Sequence, residues 1–152
     1  MADKTNHIEN LMKVRKEIQP IKRDGKNPHF KSNYATLDNV IETVTDPLDK
    51  YGFFLTHHTF GNEHGMFVRT HILHKTGEMI VSTDIPIVLH KQDMQALGGA
   101  ITYARRYGIL SLLNLPTEDD DGNYASAPPK RSASDNKSNK PVTNIWKDIN
   151  NG

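Results

Sequence analysis

The apolar residues of this chain fall into two rhythms, and the switches between them outline a fold. From Thr5 to Gln19, Ile8, Leu11, Met12, Val14 and Ile18 recur at three- and four-residue steps, the spacing of a helical face. Thr5 is placed to cap this helix and Pro20 to end it. A second helix is expected after Thr36 as cap, carrying Leu37, Val40, Ile41, Val44, Leu48 and Tyr51; Pro47 should kink or restart it and Gly52 close it. The period then drops to two. FFLTHHTF (53–60), MFVRTHILH (66–74) and EMIVSTDIPIV (78–88) are rich in β-branched and aromatic residues and are separated by the turns GNEHG and KTG. An antiparallel meander is the natural pairing, with Pro86 ending the pairing of the third strand or placing it on an edge. The helical period returns from Lys91 to Leu113, where Met94, Leu97, Ile101 and Ala104 share a face and Asn114 and Pro116 supply a stop. Gly98 and Gly99 lower helix propensity there, which points to another backbone close by.

A three-stranded meander alone exposes an apolar face, and the long helix is its expected cover. The predicted class is therefore α+β: a β-β-β-α core behind two helices, with a disordered tail. Residues 1–123 form the one domain that 152 residues allow. Residues 124–152 contain the Ser-, Pro- and Lys-rich stretch ASAPPKRSASDNKSNKP, which has too few apolar side chains to offset ordering entropy. Within that tail Ile145, Trp146 and Ile149 form a short apolar motif suited either to a partner's groove or to folding back on its own domain.

Composition narrows the chemistry. There is no cysteine, so disulfides and thiolate metal sites are excluded. No apolar run approaches the roughly 18 residues of a membrane span, and MADKTNHIEN lacks the apolar core of a secretory signal. A soluble, intracellular protein is expected. Residues 1–123 hold 14 Lys+Arg against 16 Asp+Glu, a net of −2, whereas residues 124–152 hold five against two, a net of +3. That body is less basic than most nucleic-acid binders, but Glu118 to Asp121 contribute four of its acids in one stretch.

Two local patterns carry chemistry. Tyr103, Arg106 and Tyr107 fall at i, i+3 and i+4, so one helix surface holds a guanidinium beside two phenols, with Arg105 one step round. Such a patch can hold phosphates and stack bases. Residues 21–35, IKRDGKNPHFKSNYA, read as an ordered loop in which Lys22, Arg23, Lys26 and Lys31 alternate with His29, Phe30 and Tyr34. Cations interleaved with rings suit single-stranded nucleic acid; a solvated loop with Phe30 and Tyr34 tucked into the core is the other reading. Arg105 and Arg106 are candidate phosphate contacts, or ion-pair partners of Asp93 and the 118–121 acids.

The sequence Glu118-Asp119-Asp120-Asp121-Gly122-Asn123 resembles a calcium loop, but in that register the first ligand would be Thr117 and the closing glutamate would be Pro128. No metal site is assigned. His57-His58 and His71/His74 lie at odd separations on strands, which sends the members of each pair to opposite faces, so surface or hairpin-paired histidines are expected rather than zinc ligands. There is no Gly-rich phosphate loop ending in Gly-Lys-Ser/Thr, and no cofactor or catalytic residue is expected.

QALGGAITYARRYGILSLLNL followed by EDDDGN resembles the carboxy-terminal signature of the essential recombination function family of phage single-strand annealing proteins, and NPHFKSNYATL (27–37) resembles its amino-terminal one. Family members commonly show Gly-Ser-Ala where this chain has Gly98-Gly99-Ala100. The resemblance implies a β-β-β-α core and an ATP-independent, non-enzymatic recombinase of the host bacterial cytoplasm that binds single-stranded DNA and pairs complementary strands. It implies rings or filaments of many subunits, working with a single-stranded-DNA-binding protein or an exonuclease. Arg105, Arg106, Lys31 and Arg69 would then neutralise phosphates, with Tyr103, Tyr34, Phe30 and His29 among the bases. Two other classes stay open: a metal-dependent nuclease using the 118–121 acids, and a non-enzymatic adaptor acting through its tail.

Overall fold

The computed structural model describes residues 4–28 and 32–116, with Lys4, Thr5 and Ser32 described in backbone only. The element order is α1 (Lys4–Glu17), β1 (Gly25–Asn27), β2 (Ser32–Tyr34), α2 (Leu37–Lys50), β3 (Phe53–Asn62), β4 (Gly65–His74), β5 (Met79–Ile87) and α3 (Met94–Leu112). The chain is α+β, with β3, β4 and β5 forming one antiparallel sheet in that order. Among the described residues no helix is long and apolar enough to cross a membrane.

Each meander strand alternates. Phe53, Leu55, His57 and Thr59 of β3 lie opposite His74, Ile72, Thr70 and Val68 of β4, which in turn meet Val81, Thr83 and Ile85 of β5. This face carries the buried Phe53, Val68, Thr70 and Ile72. The other face presents Phe54, Thr56, His58, Phe60, Phe67, Arg69 and His71. Asn62 and Gly65 close the first hairpin, and the Asn62 side chain accepts the His64 N–H at 2.8 Å. Gly77, at φ +87°, supplies the left-handed residue of the second turn. Pro86 pairs with Phe67 on β5, a terminal strand where the missing N–H is tolerated.

Thr36 caps α2 by accepting the Asn39 N–H at 3.3 Å. The helix runs as one element through Pro47, where a kink or restart was expected; Thr43 donates its hydroxyl to the Asn39 carbonyl one turn earlier. Asp93 caps α3 through Ala96 N–H at 2.7 Å, so its carboxylate serves the helix. At the other end Asn114 adopts φ 49°, Asn114 N–H bonds the Ser111 carbonyl and Leu115 N–H the Leu110 carbonyl. These two bonds are the Schellman stop, with Asn in the position glycine usually takes.

The core gathers Val14 of α1, Leu37, Val40, Val44 and Leu48 of α2, Phe53 and Ile72 of the sheet, and Ile109, Leu110, Leu113 and Leu115 at the end of α3. Burying each such side chain stabilises by about 1.5–3 kcal/mol. Glu17 accepts from Lys50 at 2.8 Å and from the Tyr51 hydroxyl at 2.5 Å, tying α1 to the end of α2.

Three further expectations change. The 21–35 loop contains a two-stranded hairpin, with Gly25 opposite Tyr34 and Asn27 opposite Ser32. Its pairing is possible because Gly25 has no Cβ, which would overlap the Tyr34 ring. The close approach assigned to Gly98 and Gly99 is found instead at Gly108: nothing lies within 4 Å of a Cβ at the first two, while one at Gly108 would fall inside the Thr70 side chain. Met94 does not share the buried face of Leu97, Ile101 and Ala104; it is 80 % exposed.

Candidate nucleic-acid interface

Helix α3 packs on β4 and β5, while β3 is the far terminal strand. Between α3 and the half of β3 beyond the buried Phe53 lies a groove of about 620 Å³ lined by Leu55, Thr56, His57, His58, Thr59, Val68, Ile101 and Arg105. Thr56 and His58 have the opposite parity to Leu55, His57 and Thr59, so the groove wraps the free edge of the sheet. Leu55, Val68 and Ile101 give it an apolar floor. Among the described residues Arg105 is the one cation of the lining, and no acid lines it. An anion entering there meets a guanidinium and, among the described lining residues, no competing carboxylate.

His57 is fixed from behind. Its Nδ1 lies 3.0 Å from the hydroxyl of Thr70, which is fully buried between the sheet and Gly108. Its Nε2 is buried without a hydrogen-bond partner. Burial first, then the charge of Arg105 and the neighbouring His71, push the His57 pKa down to about 4, so the ring is neutral near pH 7.

Arg106 has a different setting. Only 8 % exposed, its guanidinium carbon lies 4.7 Å from the ring centre of Tyr107, 5.6 Å from Tyr103 and 5.2 Å from Tyr34. Nη1 donates to the Ala35 carbonyl at 3.4 Å. Tyr103 and Tyr107 pack ring on ring at 4.3 Å, and Tyr103 keeps a 55 % exposed outer surface. The predicted Tyr103–Arg106–Tyr107 patch thus exists, joined by Tyr34 from β2. Successive helix residues turn by about 100°, which puts Arg105 about 200° from Tyr103; Arg105 faces the groove on another flank of α3.

Arg69 lies on the opposite face of the sheet. It donates to both carboxylate oxygens of Asp84, at 2.5 and 2.6 Å, and stands 4.7 Å over Phe60, which stacks on Phe67. The pair raises the Arg69 pKa and lowers that of Asp84, each chiefly through their mutual hydrogen bonds. His58 and His71 pair across the same hairpin, Nδ1 to Nε2 at 3.0 Å. Burial, then His58 and Arg69, lower the His71 pKa.

The structure therefore brings Tyr34, Tyr103 and Arg106 together and sets Arg105 and Arg69 apart from them. His29, Phe30, Lys31, the 118–121 acids and Ile145, Trp146 and Ile149 lie outside the described residues. His57, Thr59 and Leu55 were not singled out as site residues. Their shared parity with the buried Phe53 was the available signal, since it places them on the side of the sheet that α3 approaches.

No curated protein and no solved structure is matched by the chain. The sequence model of the ERF superfamily matches residues 8–148, nearly the whole length. With that span matched, the chain belongs to the ERF superfamily.

Proposed function

We propose that this protein is an ATP-independent single-strand annealing protein of phage recombination, and that the groove between α3 and the edge of β3 holds single-stranded DNA. The ERF family is associated with phage single-strand annealing. The observation that carries the reading is the groove with Arg105 in its wall and, among the described residues, no acid in its lining. In this reading α3 is the cover of the meander, and its offset from β3 is what leaves room for a strand. Arg105 neutralises a backbone phosphate, and the apolar floor takes sugar or base surface. Annealing needs no bond made or broken by the protein: base pairing supplies the free energy, provided the strand is held with its pairing edges free. The exposed ring of Tyr103 offers a stacking surface on another flank, and Arg106 serves by fixing Tyr103, Tyr107 and Tyr34.

One groove of this size holds few nucleotides, so the reading includes a homo-oligomer, ring or filament, that sets many grooves side by side. A single-stranded-DNA-binding protein or an exonuclease is the proposed partner, in the host bacterial cytoplasm. His29, Phe30 and Lys31, which follow the β1 strand in sequence, and the motif Ile145-Trp146…Ile149 remain proposed contacts to DNA and to a partner. The test is a strand-pairing assay with labelled complementary oligonucleotides, with and without magnesium and without ATP. Pairing with both strands intact supports the reading; strand cleavage that requires magnesium would replace it with the nuclease.

A further inference from the structure

His57 is the one side chain of the groove wall whose polar atom is both buried and unmatched. A buried polar atom left without a partner is costly, and native structures tolerate few. Here the ring cannot turn away from the problem: Thr70 holds Nδ1 at 3.0 Å, and Thr70 is itself immobilised by its packing against Gly108. The far nitrogen therefore stays aimed away from Thr70, in a ring that lines the same groove as Arg105. A neutral imidazole carries one N–H. If the Thr70 hydroxyl donates to Nδ1, that N–H is on Nε2.

Resting on the groove reading, we propose that His57 is a second contact residue for single-stranded DNA, donating its Nε2–H to a backbone phosphate oxygen beside the one held by Arg105. A phosphate fits better than a base edge, because annealing requires the pairing edges to stay free and because, among the described residues, no acid lines the groove. A neutral donor next to an arginine supplies the second hydrogen bond without adding charge. Nε2 is shielded from water in the free protein, so contact requires the wall to give. Thr70 is then a positioning residue, acting through His57.

The experiment compares binding of a labelled oligodeoxythymidylate to the full chain and to His57→Phe, His57→Asn, His57→Gln, Thr70→Val and Arg105→Ala. Phe keeps the ring shape without nitrogens, Asn places an amide only near Nδ1, and Gln reaches the position of Nε2. Expected are losses of about tenfold for Phe and for Asn, and retention within about threefold for Gln. Thr70→Val should give an intermediate loss. Histidine nitrogen NMR of the unsubstituted protein should show His57 as the Nε2–H tautomer, and its Nε2 signal should move when the oligonucleotide is added. A folded His57→Phe that binds as the parent while Arg105→Ala does not, or a His57 signal that stays still on binding, overturns this inference and leaves the groove standing. Parent-like binding by a folded Arg105→Ala removes the groove itself, and this inference with it.

Discussion

The ring of Tyr34, in the short second strand, lies 5.2 Å from the guanidinium of Arg106, near the end of the last helix. Seventy-two residues apart in sequence, the two join segments that both lie within the span matched by the ERF superfamily. With Tyr103 and Tyr107 on its other sides, the cation is held by rings and by the Ala35 carbonyl. A desolvated cation–π contact contributes about 2 kcal/mol. Its neighbour Arg105 belongs to the groove, so the two adjacent arginines should separate by experiment.

Arg106→Ala should lower stability by about 2–4 kcal/mol, through lost ring contacts and the cavity left among three tyrosines. Arg106→Lys should recover part of that, since the ammonium keeps the charge but lacks the stacking plane. Urea denaturation followed by circular dichroism measures both. An Arg106→Ala protein as stable as the parent would show that the cage contributes nothing.

Gly108→Ala should destabilise by about 1–3 kcal/mol, because the added methyl must displace the Thr70 side chain. Gly98→Ala and Gly99→Ala should each stabilise the fold by up to about 1 kcal/mol, the helix-propensity gain where nothing lies within 4 Å. The same urea series tests all three, and a double variant combining Thr70→Ala with Gly108→Ala should be less damaged than the sum of the singles.

Acid should weaken the fold through its histidines. The folded-state pKa of His57 lies near 4, well below its ordinary 6.5, and those of His71 and His74 are lowered as well, each chiefly by burial. Between those values and 6.5 the unfolded chain binds more protons than the folded one, so this stability is complete above pH 6.5 and is lost as pH falls toward 4. Urea midpoints between about pH 7.5 and 4.5 should fall, and His57→Phe should flatten part of the slope. A midpoint that rises on acidification would reverse the sign argued here.

Much of the fold was legible in the chain because β3, β4 and β5 alternate over most of their length, up to a register shift between Ile72 and Leu73, and their turns are marked by glycine. Thr36, Asn114 and the long helix carried equally local signals. The β1–β2 hairpin was not legible: three residues per strand show no period, and its closure depends on Tyr34 finding Gly25 across the pair. Nor could the chain say which glycine of α3 is approached, since that depends on where the buried Thr70 meets the helix. The arginine pair illustrates the same limit. Spacing put Arg106 beside Tyr103 and Tyr107, but only the return of Tyr34 and Ala35 buries it. Arg69 read as a free cation because its partner Asp84 sits on the next strand, reached through the β4–β5 register.

The most direct test is the salt dependence of single-stranded DNA binding by Arg105→Ala, with Arg69→Ala as the comparison and circular dichroism to verify both folds. One lost phosphate contact should reduce the slope of log affinity against log salt by about 0.7 and weaken binding at low salt at least tenfold. Arg69→Ala, already neutralised by Asp84 on the far face, should stay within about twofold of the parent. An Arg105→Ala protein with parental affinity and slope, or an Arg69→Ala protein that loses both, would contradict the placement of DNA between α3 and β3.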